Sequence, residues 1–584
     1  MPRFMEFITT PDELQAAIAE LSAETFIGFD TETTGLDPHR AQLRLLQFAS
    51  RTKSYILDLF QFPKEALPPV LDLLAASQPV KVAHNAKFDA EFLRQHHGIR
   101  LGTVFDTYLA SLLVSAGNEQ ERHGLEPVAA RYLNVELDKS FQVSDWSGQL
   151  TESQLEYAAR DAQVLLPLRE KLQAKLDELE LMQVAKLEFD CVNAMAGMEL
   201  TGIYLEADCW RAQVAQTKAA YDQVAVRLQK ELSVGAPQMT LFEEATSSIN
   251  LDSPLQIRTA LARLGIKVDS TSEWRLHNLA REHPVLALLL DYRGLSKSLS
   301  AYGLGLLEYI NPVTGRIHAS FRQIGSPTGR MGCTAPGLHQ IPHEKHYREC
   351  FRAPAGRKLI VADFSQIEMR ILAEMSSDET LIEAFNSGAD LHRATASNML
   401  GVPLEEVTPE QRSAAKGLNY GIIYGMGAEG LANRIGSSVV EAEGLIQKYF
   451  AAYHGVARWL QQAADTAVRE RRSRTMLGRL WAFSFDPSDR AQLGMLRRVG
   501  KNAPIQGTGS DLFKRAVKLV DDKLQSHDAQ IVHCIHDEIV VECDDTIAEK
   551  IARLVSSTMI KAGQEFLPRV PVEVDVKVTA AWLK

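Results

Sequence analysis

Two short acidic segments, Val361-Ala362-Asp363-Phe364-Ser365-Gln366-Ile367-Glu368 and Ile535-His536-Asp537-Glu538, set carboxylates where apolar runs end. Two aspartates at strand ends can hold a pair of Mg²⁺ ions, the arrangement that activates one oxygen and stabilises another during in-line attack at phosphorus. Between the segments, Arg412, Lys416, Tyr420 and Tyr424 recur every fourth residue, which puts them on one face of a helix. Arginine and lysine there would meet a triphosphate, and the tyrosine rings offer flat faces to a sugar and base. A second acidic constellation lies nearer the N-terminus: Asp30-Thr31-Glu32, then Asp89 in His84-Asn85-Ala86-Lys87-Phe88-Asp89, then Tyr157 and Asp161. Its carboxylates would balance two divalent cations, and Tyr157 could orient an attacking water. An isolated acidic pair at a turn is most often only solvated. The order and co-occurrence of these segments make the pattern specific.

The elements that must position these groups follow from periodicity. Lys358 to Ala362 is apolar and strand-like, so Asp363 falls at the strand end, where the chain turns into a helix. Gln530 to Ile535 and Ile539 to Glu542 read as a hairpin with the acids at its tip. Phe26 to Asp30 has a buried-strand pattern. Positions i and i+2 on a strand face the same way, so Asp30 and Glu32 can address one metal pair. Tyr157 and Asp161 share a helix face. Residues 1–180 alternate strands (Phe26–Asp30, Ser54–Leu57, Val80–Ala83) with helical stretches, as an α/β domain does. A long helical pattern from Ser153 to about Met198, broken near Gly202, carries a boundary near residue 185. Residues 205–310 are mostly helical and polar, with a Gly/Pro/Ser-containing loop at 233–250.

At 584 residues the chain is too long for one core, and length alone suggests about four structural units. A hydrophobic content of 45% with 23% charged residues is that of an ordinary globular chain. No run approaches the roughly 18 apolar residues of a membrane span. Met1 to Glu6 opens neither a signal nor a transit peptide, so no membrane association and a cytoplasmic location are expected. Six cysteines without CxxC spacing predict reduced thiols and no zinc site. The net charge of −11 is uneven. Residues 1–185 hold 17 Lys+Arg against 27 Asp+Glu, and the remaining 399 hold 46 against 47. Affinity for a polyanion must therefore come from local basic surface. Arg469, Arg471, Arg472, Arg474 and Arg479, followed by Arg497, Arg498, Lys501, Lys514 and Arg515, are expected to form a phosphate track.

In content and order these motifs resemble the family A DNA polymerases, of the bacterial DNA polymerase I type. The matching stretches are Asp363 to Arg370, Arg412 to Lys416 through Asn419-Tyr420-Gly421 to Tyr424-Gly425, and His536-Asp537-Glu538. Thr328-Gly329-Arg330, Asp390-Leu391-His392 and Pro504 to Thr508 match as well, and the resemblance runs from about Phe189 to the C-terminus. It implies template-directed synthesis from dNTPs on primer–template DNA. Asp363 and Asp537 would bind two Mg²⁺ ions, with Glu538 as a supporting acid. Arg412 and Lys416 would neutralise the incoming phosphates, and His392 would add a donor. Gln366, Tyr424 and His536 fall on the substrate side of the same motifs. Arg330 matches the residue that reaches the minor groove at the primer end. Arg498, Asn502 and Gln506 match template-side readers of the minor groove, where acceptors are common to every base pair. Glu368 matches the steric gate that fills the space of a 2′-hydroxyl. Tyr420 stands where many members have Phe, and in the family Tyr there goes with acceptance of dideoxynucleotides. Gly417, Gly421 and Gly425 would let the helix approach the template base.

The N-terminal constellation resembles the DEDD-type 3′→5′ exonucleases with a Tyr in the third motif, which have an RNase H-like fold. Asp30, Glu32, Asp89 and Asp161 match the ligands of two divalent ions, Mg²⁺ or alternatively Mn²⁺, and proofreading is implied. The implied architecture is α/β and multidomain. An RNase H-like exonuclease domain covers 1–185 and a right-hand polymerase domain 186–584, with thumb about 205–310, fingers about 380–480, palm about 311–379 and 484–584, in a monomer. Because the exonuclease motif begins only about 30 residues in, a large-fragment form without a 5′ nuclease is expected. Several positions depart from the family pattern: Met331-Gly332-Cys333 for Leu-Ser-Ser, Leu338-His339-Gln340 for Leu-Gln-Asn, Phe364 for Tyr and Cys534 for Gln. They bear on primer-strand contacts and fidelity and leave the metal carboxylates untouched. An RNase D-type nuclease with an unrelated C-terminal module is disfavoured by the full Asp363, Lys416 and Asp537 set. A single-subunit RNA polymerase relative is disfavoured by Glu368 and the exonuclease motifs, and an inactive scaffold by retention of every catalytic carboxylate.

Overall fold

Six short runs rich in β-branched and aromatic residues build the N-terminal sheet: β1 (Met5–Ile8), β2 (Phe26–Thr33), β3 (Leu43–Ala49), β4 (Ser54–Asp58), β5 (Val80–Ala83) and β6 (Val104–Asp106). Their order is β1-β4-β3-β2-β5-β6. The β2-β3 and β3-β4 pairs are antiparallel, and the β1-β4, β2-β5 and β5-β6 pairs parallel. Parallel neighbours need helical crossovers, so helices such as Ala86–His97 separate β5 from β6. The helix Glu152–Glu178 lies directly on β2. A side chain at Gly28 would place its Cβ 2.1 Å from the carbonyl oxygen of Ala162. Only glycine permits that approach, which brings Tyr157 and Asp161 down onto the strand of Asp30 and Glu32. This computed structural model describes residues 5–118, 120–137, 144–234, 249–280, 282–342, 344–388 and 390–583, and most of the expected loop at 233–250 lies outside them. The helical pattern from Ser153 resolves into three helices, Glu152–Glu178, Met182–Asp190 and Val192–Thr201.

A second sheet has four antiparallel strands in the order Ala529–Ile535, Glu538–Asp544, Arg357–Phe364, Val574–Thr579. The two central strands are apolar almost throughout and buried, and the 35-residue helix Arg490–Leu524 and the helix Ala548–Phe566 complete their core. Helices over residues 379–470, among them Leu391–Leu400 and Pro409–Ile423, follow the strand Arg357–Phe364 in the chain. The helix Pro409–Ile423 starts on a capping box. The Thr408 hydroxyl accepts from Gln411 N, and the Gln411 side chain accepts from Thr408 N. Such a cap is worth about 1 kcal/mol.

The chain divides into two compact units. One comprises Met1–Ile203, Pro312–His339 and Ala353–Lys584, and the other Tyr204–Asn311 with Gln340–Arg352. The first shows no division near residue 185. The second is helical, built on Ala207–Leu232, Pro254–Arg263 and Pro284–Tyr302, with Leu228, Ile257, Leu261, Leu286 and Leu289 wholly buried. It also includes 340–352, which sequence had grouped with the palm strands. Trp210 packs on Tyr347 and Phe351, and Thr217 Oγ1 lies 3.1 Å from the Tyr347 hydroxyl. The expectation of reduced thiols is corrected in the same place: Cys209 and Cys350, 141 residues apart with Cα atoms at 5.4 Å, form a disulfide. Cys191, Cys333, Cys534 and Cys543 are free and buried. Among the described residues no helix is long and apolar enough to cross a membrane.

Candidate active sites

The strand Arg357–Phe364 pairs residue by residue with Glu538–Asp544, placing Asp363 opposite Glu538, and Phe364 N donates to Asp537 O at 3.2 Å. The two motif aspartates therefore sit side by side at one end of the sheet, both half-buried. His536, with φ 55°, helps close the two-residue turn. Sequence placed all the acids at the hairpin tip, but only Asp537 is there. Glu538 begins the second strand, fully buried, and its Oε1 accepts from the Trp582 indole. Asp575, which sequence reasoning missed, lies opposite Asp363 on the other neighbouring strand and so shares a face with it. Its signal was the strict polar–apolar alternation of Val574 to Thr579. Gln366, with φ 52°, turns the chain from Asp363 into the helix Ile367–Ser376.

The helix Pro409–Ile423 brings Tyr420 near these carboxylates. Burial raises the Tyr420 phenol pKa above its usual range, and the charges of Asp537, Glu368 and Asp363 raise it further. Tyr424 caps the helix and donates its hydroxyl to Glu368 Oε2 at 2.9 Å, while Arg330 Nη2 donates to Glu368 Oε1 at 2.7 Å. Arg412 forms a two-pronged contact with Asp390 Oδ2, at 3.0 and 2.7 Å. Asp390 in turn caps the helix Leu391–Leu400, and its pKa is lowered by the Arg412 contact against the opposing effect of burial. Lys416 is exposed on the same helix. His392 is buried beside Tyr420, ring centroids 5.9 Å apart, and burial lowers its pKa to about 4, so it is neutral. On the helix Arg490–Leu524, Arg498, Asn502 and Gln506 share a face by spacing. Asn502 is already engaged, donating to Ile423 O at 3.1 Å.

The N-terminal constellation converges on one cluster. Asp30 and Glu32 project from the same side of β2, and Thr31 Oγ1 donates to Asp89 Oδ1 at 2.6 Å. Burial, then repulsion from Asp89, Glu32 and Asp161, holds the Asp30 carboxyl far above its normal pKa. Glu32 is pushed to about 9 by burial and by Asp161 and Asp89, and Asp89 to about 7 chiefly by burial. Tyr157 is raised by burial and then by the charge of Asp161, to which it is hydrogen-bonded. Sequence missed Asp106, which accepts from the backbone N–H groups of Asn85, Ala86, Tyr108 and Leu109 at 2.8–3.1 Å. It thereby fixes the first turn of the helix that carries Asp89. Its signal was an Asp ending a strand run just before a helix, the ordinary N-cap pattern. Among the described residues no three His, Cys, Asp or Glu side chains are gathered tightly enough to ligate one ion unaided. The donor set still fits divalent cations. Mutually repelling buried carboxylates call for positive charge, and two-ion sites complete their shells with water and substrate phosphate.

Comparison with known proteins covers both parts of the chain. The family profile described as DNA polymerase family A matches residues 219–584, and that described as 3′-5′ exonuclease matches residues 5–177. The chain belongs to DNA polymerase family A. DNA polymerase I of Aquifex aeolicus is 33% identical over 99% of both chains, and that of Pseudomonas aeruginosa 33% identical over 97% of this chain. The chain spans 64% of the Pseudomonas relative's length and 62% of that of the Chloroflexus aurantiacus DNA polymerase I. The solved POL domain of Pol1 from M. smegmatis, in complex with DNA primer-template and dNTP, superposes with a TM-score of 0.85 at 29% identity, covering 99% of each chain. An RNase H-like exonuclease domain followed by a family A polymerase domain is thus the architecture.

In this family A polymerase several expectations need correction. The phosphate track is broken up. Arg479 and Lys514 are fully buried, bonded to Glu188, and Arg479 Nε donates to Asp511 Oδ1 at 2.7 Å. Four charges so far from water persist only because they neutralise one another, and removing one leaves an uncompensated ion costing several kcal/mol. Arg474 donates to the carbonyls of Leu179 and Gly478, Arg515 pairs with Glu565 and Arg497 with Asp465. Arg498 remains exposed. The glycine stripe also differs from expectation. Gly425 lies past the helix end, and its φ of +64° stops the helix where a Cβ would stand 3.2 Å from Arg498 Cγ. Gly417 and Gly421 are buried against Ile435 and Met426, not open to a template.

Three of the departures from the family pattern, at Met331, His339 and Cys534, gather in one patch. Cys534 Sγ lies 3.7 Å from Met331 Sδ, and the His339 ring meets Cys534 O at 2.9 Å. The rings of Phe321, His339 and His533 pack mutually at 5.5–5.9 Å. Glu368 is held from both sides by Arg330 and Tyr424, so its side chain has one fixed position. Glu368→Ala is expected to weaken discrimination against ribonucleotides roughly tenfold or more. Glu368→Gln, which keeps the bulk, should leave it near wild type. Primer extension with matched dNTP and NTP measures both ratios, and equal discrimination in all three proteins would remove the gate assignment.

Proposed function

We propose that the chain extends primer–template DNA from dNTPs by two-metal nucleotidyl transfer at Asp363 and Asp537, and trims 3′ ends at Asp30, Glu32, Asp89 and Asp161. The observation that carries the synthetic half is the backbone adjacency of Asp363 and Asp537, beside a helix presenting Arg412, Lys416 and Tyr420. Bound there, divalent cations would activate the primer hydroxyl and offset charge developing at phosphorus. Arg412 and Lys416 draw the triphosphate to the helix, and the neutral His392 adds a donor without adding charge. The Tyr420 ring covers the sugar. Glu368, braced by Arg330 and Tyr424, excludes a 2′-hydroxyl. Arg330, Arg498 and Gln506 would donate to minor-groove acceptors, and Asn502 would join them on releasing Ile423 O. In the second site Tyr157 holds the attacking water against Asp161, and Asp30, Glu32, Asp89 and Asp161 would hold divalent ions, which would supply its activation.

The test is extension of a 5′-labelled primer–template with Mg²⁺ and dNTPs, beside lanes with NTPs and without nucleotide. Template-dependent lengthening, with shortening when nucleotides are withheld, is expected; shortening alone would reduce the chain to a nuclease. Tyr420 refines the reading. Its hydroxyl can replace the hydrogen bond that a 3′-hydroxyl makes, so dideoxynucleotides should be accepted. Tyr420→Phe is expected to raise the dNTP preference over ddNTP roughly tenfold, the worth of one hydrogen bond. Equal ddNTP/dNTP ratios in the two proteins would end this idea.

A further inference from the structure

Behind His392 lies a chain of buried polar groups that nucleotide binding does not itself use. His392 on the helix Leu391–Leu400 is 5% exposed, and Thr395 on the same helix, Asn419 on Pro409–Ile423 and Tyr453 after Val439–Ala452 are wholly buried. The Tyr453 hydroxyl donates to Thr395 Oγ1 at 3.1 Å. Thr395 Oγ1 donates to Asn419 Oδ1 at 3.3 Å, and Asn419 Nδ2 donates back to Thr395 at 3.1 Å and to His392 Nδ1 at 3.0 Å. An amide nitrogen has hydrogens and no available lone pair, so His392 Nδ1 must be the acceptor in that contact. A neutral imidazole carries one proton, and an accepting Nδ1 leaves it on Nε2.

We propose that Asn419 is a positioning residue for nucleotide addition: its carboxamide, with Nδ2 against the ring, keeps the single imidazole proton of His392 on Nε2, as a donor to the incoming triphosphate. This rests on the reading of His392 as a triphosphate contact. Turning the carboxamide over would set Oδ1 against Nδ1, move the proton there, and present a lone pair to a phosphate oxygen. Asn419, held by Thr395 Oγ1 on both its oxygen and its nitrogen, is thus the residue on which the polarity of that ring nitrogen turns. The charged and polar groups facing His392 are Asp390 at the start of its own helix, Arg412, Lys416 and Tyr420 on the next, and the relay behind it. Arg412 and Lys416 oppose a protonated ring, so the neutral donor form serves across the neutral and alkaline range.

Asn419→Asp, nearly isosteric, places a carboxylate acceptor at Nδ1. The proton then moves to Nδ1, and Nε2 carries one only when the ring is doubly protonated. For this variant KM for dNTP is expected to rise roughly tenfold between pH 6 and pH 9 relative to wild type, with kcat changing less. In the His392→Gln background, where an amide donates whatever stands behind it, adding Asn419→Asp should produce no such added pH dependence. Nitrogen-15 NMR of the histidines in the full chain without DNA, with the His392 signal assigned by its loss in His392→Gln, should show an Nε2–H tautomer in wild type and Nδ1–H in Asn419→Asp. A wild-type Nδ1–H signal would overturn the proposal, and so would a flat KM profile for Asn419→Asp. The NMR reading needs no turnover, so it stands apart from the primer-extension result on which the proposed function depends.

Discussion

Asp537→Asn is expected to slow nucleotide addition by about 10³-fold or more while leaving 3′ trimming of a single strand unchanged. Asp363 and Asp537 are adjacent across the strand pair, and each supplies a full negative charge that a divalent ion at the sheet end would need. Asparagine keeps the shape and an oxygen but removes that charge, and metal stabilisation of the transferring phosphoryl group is worth several kcal/mol, with each 1.36 kcal/mol a factor of ten in rate. Asp537 is half-exposed in a turn, so the change should not unfold the sheet. Single-turnover extension under saturating dNTP measures the loss, and the trimming assay on the same preparation verifies the fold. A variant that kept even a tenth of wild-type addition would take Asp537 out of the metal site. Glu538 makes a useful contrast. Buried under Trp582, it cannot be exchanged without stability loss, so its variants report packing before chemistry.

The complementary loss is expected from Asp161→Asn: trimming falls by about 10³-fold, and extension of a matched primer is retained. The acidic cluster also predicts a pH dependence. Glu32 at about 9 and Asp89 at about 7 lie above their unfolded values, so the metal-free fold holds more protons than the unfolded chain through the neutral range. Their contribution to stability is therefore fully present below about pH 4 and is lost as pH rises towards 9. A divalent ion must displace those protons, so it binds more tightly as pH rises. Mn²⁺ or Mg²⁺ should accordingly raise Tm more at pH 8.5 than at pH 6, and Asp161→Asn should shrink that difference. An ion-induced shift that was the same at both pH values would contradict the coupling.

What can be read along the chain and what cannot divides by distance. Asp363 at the end of an apolar strand run, Asp30 and Glu32 two apart, and Arg412, Lys416 and Tyr420 four apart were decided by sequence alone, because strand and helix periods are local and set which side chains share a face. The motifs therefore disclosed the family without coordinates. Arg479 and Lys514 looked like surface cations. Their partner Glu188 is about 290 and 326 residues away, and no local pattern reveals that a charge will meet a buried counter-charge. The same holds for the Cys209–Cys350 pair, for residues 340–352 joining the helical unit, and for Glu538 turning under Trp582 instead of standing at a tip. Gly417 and Gly421 were legible as bare backbone, but what that backbone faces was set by Ile435 and Met426. Asn419 is the extreme case. Within a family motif it reads as one more polar residue, and only folding the helical segments together directs one of its hydrogens at a ring nitrogen. Sequence determined which charged and polar groups this protein lines up on common faces. Tertiary structure decided which of them are free to act, because burial and pairing are properties of neighbours that the chain brings together only by folding.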